Sequence, residues 1–235
     1  MSFRYSPKII TDGLVFYLDA ANSNSFVNGS TVWNDLSTYT NNSTLVNAPT
    51  FDSSNSGSLL FDGTNEYSNV PINAVPTGNQ ITISCWTKFN VIQSSSIFSA
   101  FNSSGDRQIN IHLPWSDSVV YWDCGAVGGT YDRINTSELT VTQKTGWHHW
   151  SFTKNATTGS MFIYLDGVII ASGTSKTATI GTISTNIYPC AIAYFGSATP
   201  LYYSGNIANM MFYNRALSAT EVLQNYNTMK SRFGR

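Results

Sequence analysis

Short segments in which apolar and polar residues alternate recur along the whole chain. In the segment 81–89, Ile81, Ile83 and Cys85 fall on one face and the residues between them carry hydroxyl groups, which is typical of a half-buried strand. Further segments of this kind are 14–19, 97–101, 108–113, 119–124, 147–154, 160–165, 168–172 and 207–213. Many short strands with turn residues between them predict an all-β fold, a jelly-roll sandwich of two antiparallel sheets.

The strands 160–165 and 168–172 are separated only by Asp166 and Gly167. A two-residue turn of type I′ needs a positive φ at both central positions, and Asp-Gly is one of the residue pairs that tolerate it. The sequence therefore predicts a hairpin here.

One short helix is predicted at the C-terminal end, over residues 218–230. Ser218 and Glu221 have the spacing of a capping box, in which each side chain bonds the backbone amide of the other residue. An apolar stripe with helical spacing follows, made of Val222, Tyr226 and Met229. We expect this stripe to dock on a sheet.

The chain is interpreted as one domain of 235 residues, with residues 1–12 as an N-terminal arm. The stretch 20–58 is rich in Asn, Ser and Thr, but Trp33, Leu36 and Leu45 occur within it at intervals. It is therefore interpreted as a packed, irregular part of the same domain. No internal repeat, charge run or Pro-rich linker divides the sequence.

Composition narrows the possible partners. Charged residues make up only 11% of the chain, whereas about a quarter is usual in soluble domains. The net charge of −1 provides no basic field for phosphates, so nucleic acid is not an expected partner. No apolar run approaches the ~20 residues of a membrane span, so no membrane association is expected. Asp12 interrupts the N-terminal segment before the apolar core of a signal peptide can form, so no export signal is expected either.

A set of motifs, in order over nearly the whole chain, resembles the concanavalin A-like, laminin-G-like jelly-roll family. The motifs are residues 13–20, 33–37, 60–63 with Tyr67, 81–86, 147–150, 163–168, and Gly205 followed by 213–218. Within that family, residues 5–8 and 224–234 are similar to stand-alone proteins of bacteriophages. The resemblance implies two curved antiparallel sheets and a binding or structural role, commonly on a virion or cell surface.

Some members of this family are glucanases, so the resemblance alone does not decide between a binding and a catalytic role. Retaining glycosidases need two carboxyl groups about 5–5.5 Å apart. The chain has only three glutamates, Glu66, Glu138 and Glu221, and no predicted strand carries two acids at suitable spacing. His148 and His149 are adjacent and point to opposite faces of a strand, so they do not form a metal pair. No catalytic residue is predicted, and the Trp residues of the motifs, Trp33, Trp86, Trp147 and Trp150, are expected in the core.

The resemblance also implies a candidate calcium site, because family members sometimes bind Ca²⁺ through loop oxygens. The possible donors near the matched motifs are Asp19, Asp62, Asn65 and Glu66. Turn-capping explains each acid without a metal, and no EF-hand loop is present. No cofactor other than this possible calcium ion is expected.

Residues 111–124 form the most unusual stretch, because they place large aromatic residues at the expected tip of a hairpin. Exposed rings with acidic and basic neighbours suit either sugar stacking or protein docking. The predicted recognition surface consists of Pro114, Trp115, Asp117, Tyr131, Asp132 and Arg133. The alternative is that Trp115 only caps the end of the sandwich.

Three functions remain in order of preference. The first is a non-enzymatic surface protein of a bacteriophage virion, a capsid decoration or a fibre-like appendage with a recognition role, made in the host cytoplasm. Its expected partner is a capsid or tail protein, or another copy of the chain. The second is a soluble lectin that binds a host-surface glycan, and the third is an atypical glycoside hydrolase.

Overall fold

The computed structural model describes residues 8–235, and residues 1–7 of the predicted N-terminal arm lie outside the described residues. Within the described part of the chain, the strands are β1 (Leu14–Asp19), β2 (Val32–Trp33), β3 (Ser43–Val46), β4 (Thr50–Asp52), β5 (Ser58–Asp62), β6 (Tyr67–Asn69), β7 (Gln80–Phe89), β8 (Phe98–Phe101), β9 (Arg107–His112), β10 (Tyr121–Val127), β11 (Thr130–Asn135), β12 (His148–Asn155), β13 (Ser160–Leu165), β14 (Val168–Gly173), β15 (Ala191–Ile192), β16 (Tyr194–Phe195), β17 (Leu201–Tyr202) and β18 (Ser204–Tyr213).

Two large antiparallel sheets form the sandwich that the alternation predicts. Sheet A has the order β14-β13-β12-β7-β18-β5-β4, and β1 pairs with β18 beside β5. Sheet B has the order β11-β10-β9-β8-β15-β6-β3-β2. A separate two-stranded ribbon consists of β16 and β17. The prediction of an all-β jelly-roll sandwich is confirmed.

The main core lies between the sheets and is built from alternate residues of each strand. In β7, Ile81, Ile83 and Cys85 contribute to it, and in β10 Trp122 and Cys124 do so. The Trp residues of the matched motifs are buried, as expected, since each is at most 7% exposed: Trp33, Trp86, Trp147 and Trp150.

The hairpin between β13 and β14 has the predicted turn. Asp166 has a φ of 51° and Gly167 a φ of 83°, as a type I′ turn requires. Leu165 and Val168 then pair directly across the two strands. The local sequence therefore determines both the turn and the register of the strands next to it.

The C-terminal helix covers the outer face of sheet A. A short helix that was not predicted, α1 (Val141–Lys144), occurs earlier in the chain. The C-terminal helix is therefore α2 (Ala219–Met229). The predicted capping box at Ser218 is present, and a 3₁₀ turn over Lys230–Phe233 continues α2. Phe233 stacks on Trp86 of β7 with ring centroids 4.2 Å apart.

Docking of α2 creates a second buried apolar cluster on that outer face, and it includes Val222 and Met229. The predicted docking is thus confirmed. No helix within residues 8–235 is long and apolar enough to cross a membrane.

Candidate functional site

A cleft of about 280 Å³ opens on the outer face of sheet B, where β9, β10 and β11 lie side by side. Alternation along β10 determines which side chains face it: Trp122 and Cys124 point into the core, so Tyr121 and Asp123 point outward. The cleft is lined by Arg107, His112, Trp115, Asp117, Tyr121, Tyr131 and Arg133.

Asp123 anchors the two arginines of the cleft from below. Its carboxylate is fully buried, at 0% exposure. Arg133 binds both oxygens, with Nε 2.6 Å from Oδ1 and Nη2 2.8 Å from Oδ2. Arg107 Nη1 donates a third bond to Oδ2 at 3.2 Å. These charge-assisted bonds stabilise the buried carboxylate, raise the pKa of Arg133 and fix both guanidinium groups in place.

The two arginines alternate with aromatic rings. The Cζ atoms of Arg107 and Arg133 each lie 5.2 Å from the centre of the Tyr131 ring. On the far sides, Arg107 lies 4.7 Å from Phe195 and Arg133 lies 4.8 Å from Tyr121. We call this series of five side chains the arginine–aromatic ladder. Each cation–π contact contributes about 0.5–2 kcal/mol, so the ladder is a rigid surface before any ligand arrives.

His112 supports the upper wall of the cleft as a neutral imidazole. Asn110 Nδ2 donates to its Nε2 at 2.7 Å, and its Nδ1 therefore carries the proton and donates to Ser95 O at 2.8 Å. Burial lowers the pKa of His112 to about 4. Its ring contacts Trp115 edge-on, with centroids 4.3 Å apart. The hydrogen bonds thus fix the ring against which the tryptophan packs.

Trp115 forms the rim of the cleft in the loop 113–120 between β9 and β10. Its backbone amide donates to Val119 O at 2.9 Å, which closes the loop. Asp117 fastens the other side: its Oδ1 accepts from the Val119 amide at 2.9 Å and its Oδ2 accepts from the Tyr121 hydroxyl at 2.7 Å. The bond to Asp117 raises the pKa of Tyr121. The indole of Trp115 is half-buried, so one part of it faces solvent over the cleft.

Phe195 closes the ladder at one end and comes from a distant part of the chain. The segment before it lies on the outer face of sheet B, because Gly181 N donates to Gln108 Oε1 at 2.7 Å. Ser99 Oγ donates to Tyr194 O at 2.7 Å and fixes the position next to Phe195. Sequence reasoning missed this residue because nothing local links it to β9.

The structure brings together four of the six predicted recognition residues, namely Trp115, Asp117, Tyr131 and Arg133. Pro114 is buried and does not line the cleft. Asp132 is a correction to the prediction. It lies between two outward residues of β11, so the two-residue period of a strand turns it to the inner face. There it lies 2.6 Å from Nζ of Lys154, which is fully buried and also donates to Cys124 O.

Three lining residues were not predicted as part of the site. Arg107 and His112 belong to β9, where Ile109 and Ile111 face the core, and Tyr121 starts β10. Alternation along β9 places Gln108, Asn110 and His112 on the outer face, opposite Ile109 and Ile111. The sequence therefore contained a sign that His112 faces the cleft. Arg107 stands beyond a register shift between β8 and β9, so alternation alone does not place it.

The four possible calcium donors do not come together. Asp19 pairs with Asn209 and Asp62 pairs with Ser204 along β18. Those partners are five residues apart, which is about 16 Å along a strand. Asn65 and Glu66 lie between β5 and β6, near Asp62 and away from Asp19.

Protein groups bind the carboxylates of these donors. Arg232 Nη1 lies 2.8 Å from Asp19 Oδ1. The amide of Thr64 donates to Asp62, and the amide of Asp62 donates to Glu66. Within residues 8–235, no group of three or more His, Cys, Asp or Glu side chains is arranged to hold a metal ion. A calcium site stays a prediction.

Comparison with solved structures gives the same architecture in recognition domains and in enzymes. Domain 4 of AbnA, an extracellular arabinanase from Geobacillus stearothermophilus solved in complex with arabinotriose, is 15% identical, with a TM-score of 0.67 over 92% of this chain and 100% of that one. The binding domain of botulinum neurotoxin DC in complex with SialylT is 15% identical, with a TM-score of 0.68 over 94% of this chain and 52% of that one. A mutant Trypanosoma rangeli sialidase displaying trans-sialidase activity is 15% identical, with a TM-score of 0.66 over 95% of this chain and 34% of that one.

The chain spans about half the length of the toxin domains that it matches. No curated protein sequence matches it. Residues 62–223 match the laminin-G-type family described as the concanavalin A-like lectin/glucanases superfamily. This match covers more than half of the sequence, and the two sheets described above have the architecture of its members. The chain therefore belongs to the concanavalin A-like lectin/glucanases superfamily.

Proposed function

We propose that the protein is a non-catalytic recognition domain that binds a glycan in the cleft on sheet B. The observation that carries this proposal is the arginine–aromatic ladder beside the half-exposed Trp115. A sugar ring offers an apolar C–H face, which stacks on an indole, and hydroxyl groups, which take hydrogen bonds from guanidinium N–H groups. Because Asp123 holds both arginines, binding costs little side-chain entropy.

Two solved structures of the same fold support a glycan as the ligand. The arabinanase domain was solved with arabinotriose, and the neurotoxin binding domain with SialylT. The match of this chain to both is at the level of fold.

The arrangement of carboxylates supports a non-catalytic role. A retaining glycosidase needs one carboxylate as nucleophile and one carboxyl as acid/base. In the cleft, Asp123 accepts three guanidinium bonds, and both oxygens of Asp117 accept bonds from Val119 and Tyr121. Each carboxylate therefore holds a neighbouring group in position, and the cleft offers a surface for binding.

The test is a titration of the wild type and of Trp115→Ala with a panel of glycans. If the indole is a binding hot spot, the substitution weakens binding about thirtyfold, or about 2 kcal/mol, and leaves the melting temperature nearly unchanged. The matched control is Tyr39→Ala, because Tyr39 is 57% exposed in the β2–β3 loop at the other edge of sheet B. The proposal is wrong if no glycan binds, or if both variants bind like the wild type.

The setting that we propose for this recognition is the surface of a bacteriophage virion, with a capsid or tail protein as the attachment partner. The support is the similarity of residues 5–8 and 224–234 to stand-alone phage members of the family. Fractionation of phage particles tests the setting. A structural protein co-purifies with virions in many copies, whereas a soluble lectin stays in the supernatant.

A further inference from the structure

Two arginines, Arg107 and Arg133, line the cleft. We infer that the glycan bound there is acidic and that Arg107 and Arg133 bind its carboxylate, as in a sugar bearing a uronic or sialic acid. The inference rests on the proposed function, since it concerns the ligand of the same cleft.

The first support is the set of N–H groups left over after the internal bonds are made. Arg133 uses Nε and Nη2 for Asp123, and Arg107 uses only Nη1, for Asp123 and the Tyr131 hydroxyl. Among the described residues, no acceptor bonds Nη1 of Arg133 or the Nε and Nη2 atoms of Arg107. The Nε–Nη2 edge of a guanidinium group has the spacing of the two oxygens of a carboxylate. Arg107 thus presents an open bidentate edge in a cleft that it lines.

The second support is charge. Asp123 compensates one of the two guanidinium charges, and among residues 8–235 no second buried carboxylate pairs with either arginine, so the ladder keeps one positive charge. His112 adds none at neutral pH because its imidazole is buried and uncharged. Asp117 opposes the ligand charge only from the exposed rim, where water screens its carboxylate and where Tyr121 and the Val119 amide bind it.

The third support is the partial burial of the arginines, whose side chains are 27% and 36% exposed for Arg107 and Arg133. A charge-assisted bond is roughly twice as strong as a neutral one, and it strengthens further where water is partly excluded. A neutral sugar hydroxyl satisfies one N–H at a time. A carboxylate satisfies two at once and neutralises the remaining charge, so it gains more from the same cleft.

The experiment compares glycans that differ only in the acid. An array carries sialylated and uronic-acid-containing glycans, each beside its asialo or methyl-ester counterpart, and the best pair is then titrated in solution. We expect the acidic member to bind at least tenfold more tightly than its neutral counterpart. Added salt should reduce this difference, because the contact is ionic.

Variants assign the preference to the arginine. Arg107→Gln should reduce the acidic-to-neutral ratio to less than threefold, and Arg107→Lys, which keeps the charge and loses the bidentate edge, should give an intermediate ratio. The matched control is Lys230→Gln, since Lys230 also lies over a ring, 5.5 Å from the centre of Tyr226, on the outer face of sheet A. It should keep the full ratio. Thermal melting of each variant shows whether it is folded, and the ester comparison on the wild type needs no variant.

The outcomes separate this inference from the proposed function. If neutral glycans bind as tightly as acidic ones and Trp115→Ala abolishes both, the domain is a lectin and the carboxylate inference is overturned. A preference for sulfated over carboxylated glycans also overturns it. If neither class binds, the proposed function fails together with the inference.

Discussion

Lowering the pH from 7 to 5 is expected to destabilise the fold, because two buried histidines are uncharged in the folded state. His149 is the clearer case. It is fully buried beneath α2, its ring packs 5.5 Å from that of Trp86, and neither ring nitrogen has a hydrogen-bond partner among the described residues. Burial lowers its pKa from the ordinary 6.5 to about 4, against a smaller opposing attraction from Asp166.

The sign follows from proton binding. Between pH 6.5 and 4 the unfolded chain binds a proton at this histidine and the folded chain does not, so acid favours unfolding. The stability is fully present above pH 6.5 and is lost as the pH falls toward 4. Between pH 7 and pH 5 the loss is about 2 kcal/mol, and it approaches about 3 kcal/mol below pH 4. His112 has the same lowered pKa of about 4, and it adds a loss of similar size.

The assay is urea unfolding at pH 7 and at pH 5 for the wild type, His149→Phe and His112→Phe. His149→Phe keeps the aromatic contact with Trp86 and removes two buried nitrogens without partners. It should be as stable as the wild type at pH 7 and should lose about 2 kcal/mol less on acidification. His112→Phe should lose stability already at pH 7, because it leaves the groups of Asn110 and Ser95 without their partner.

An equal pH dependence in His149→Phe and the wild type would refute this reasoning. It would mean that the imidazole reaches water in the folded state or that α2 leaves the sheet before the protein unfolds. A large loss of stability in His149→Phe at pH 7 would show instead that the ring nitrogens bind water.

Four further changes test the packing. Ser218→Ala removes the cap of α2 and should cost about 0.5–2 kcal/mol, measured by thermal melting. Phe233→Ala removes the ring that covers Trp86 and should cost about 3–5 kcal/mol in urea unfolding, whereas deletion of residues 218–235 should cause aggregation, measured by light scattering. Lys154→Met leaves Asp132 without its cation and should cost about 3–5 kcal/mol, and the double variant with Asp132→Leu should recover most of it. Equal losses in the single and double variants would show that the pair is not coupled.

Local patterns in the sequence predicted the parts of the fold that depend on near neighbours. The hairpin at Asp166 and Gly167 follows from the φ values that its turn needs, and the docking of α2 follows from its cap and its apolar stripe. The same kind of signal was present and overlooked at α1, where Thr140 and Gln143 form a capping box.

The stretch 20–58 could not be predicted in the same way. Its strands β2, β3 and β4 are two to four residues long, which is too short to show an alternation. Strand β11 was missed because Ile134 is its single buried residue. The same omission explains why Asp132 was assigned to the recognition surface. Only the alternation of a strand turns Asp132 to the face opposite Tyr131 and Arg133.

The cleft depended on the same long-range pairing. Trp115 and Arg133 were recognised from their chemistry, since an aromatic hairpin tip and a nearby cation are visible in the sequence. Arg107 and Phe195 join them only because β9 lies beside β10 and because the segment before Phe195 crosses sheet B. These contacts connect residues separated by many positions, and a single sequence contains no local sign of them.

Because α2 packs on sheet A, both described ends of the chain lie on one side of the sandwich. Gln224 donates to Lys8 O, and Arg235 donates to Trp147 O. The cleft opens on the other side, at sheet B. A support attached at Lys8 or Arg235 would therefore hold the domain with the cleft facing away. For an experiment, this means that immobilisation through a tag at the C-terminal end should leave the cleft accessible to glycans.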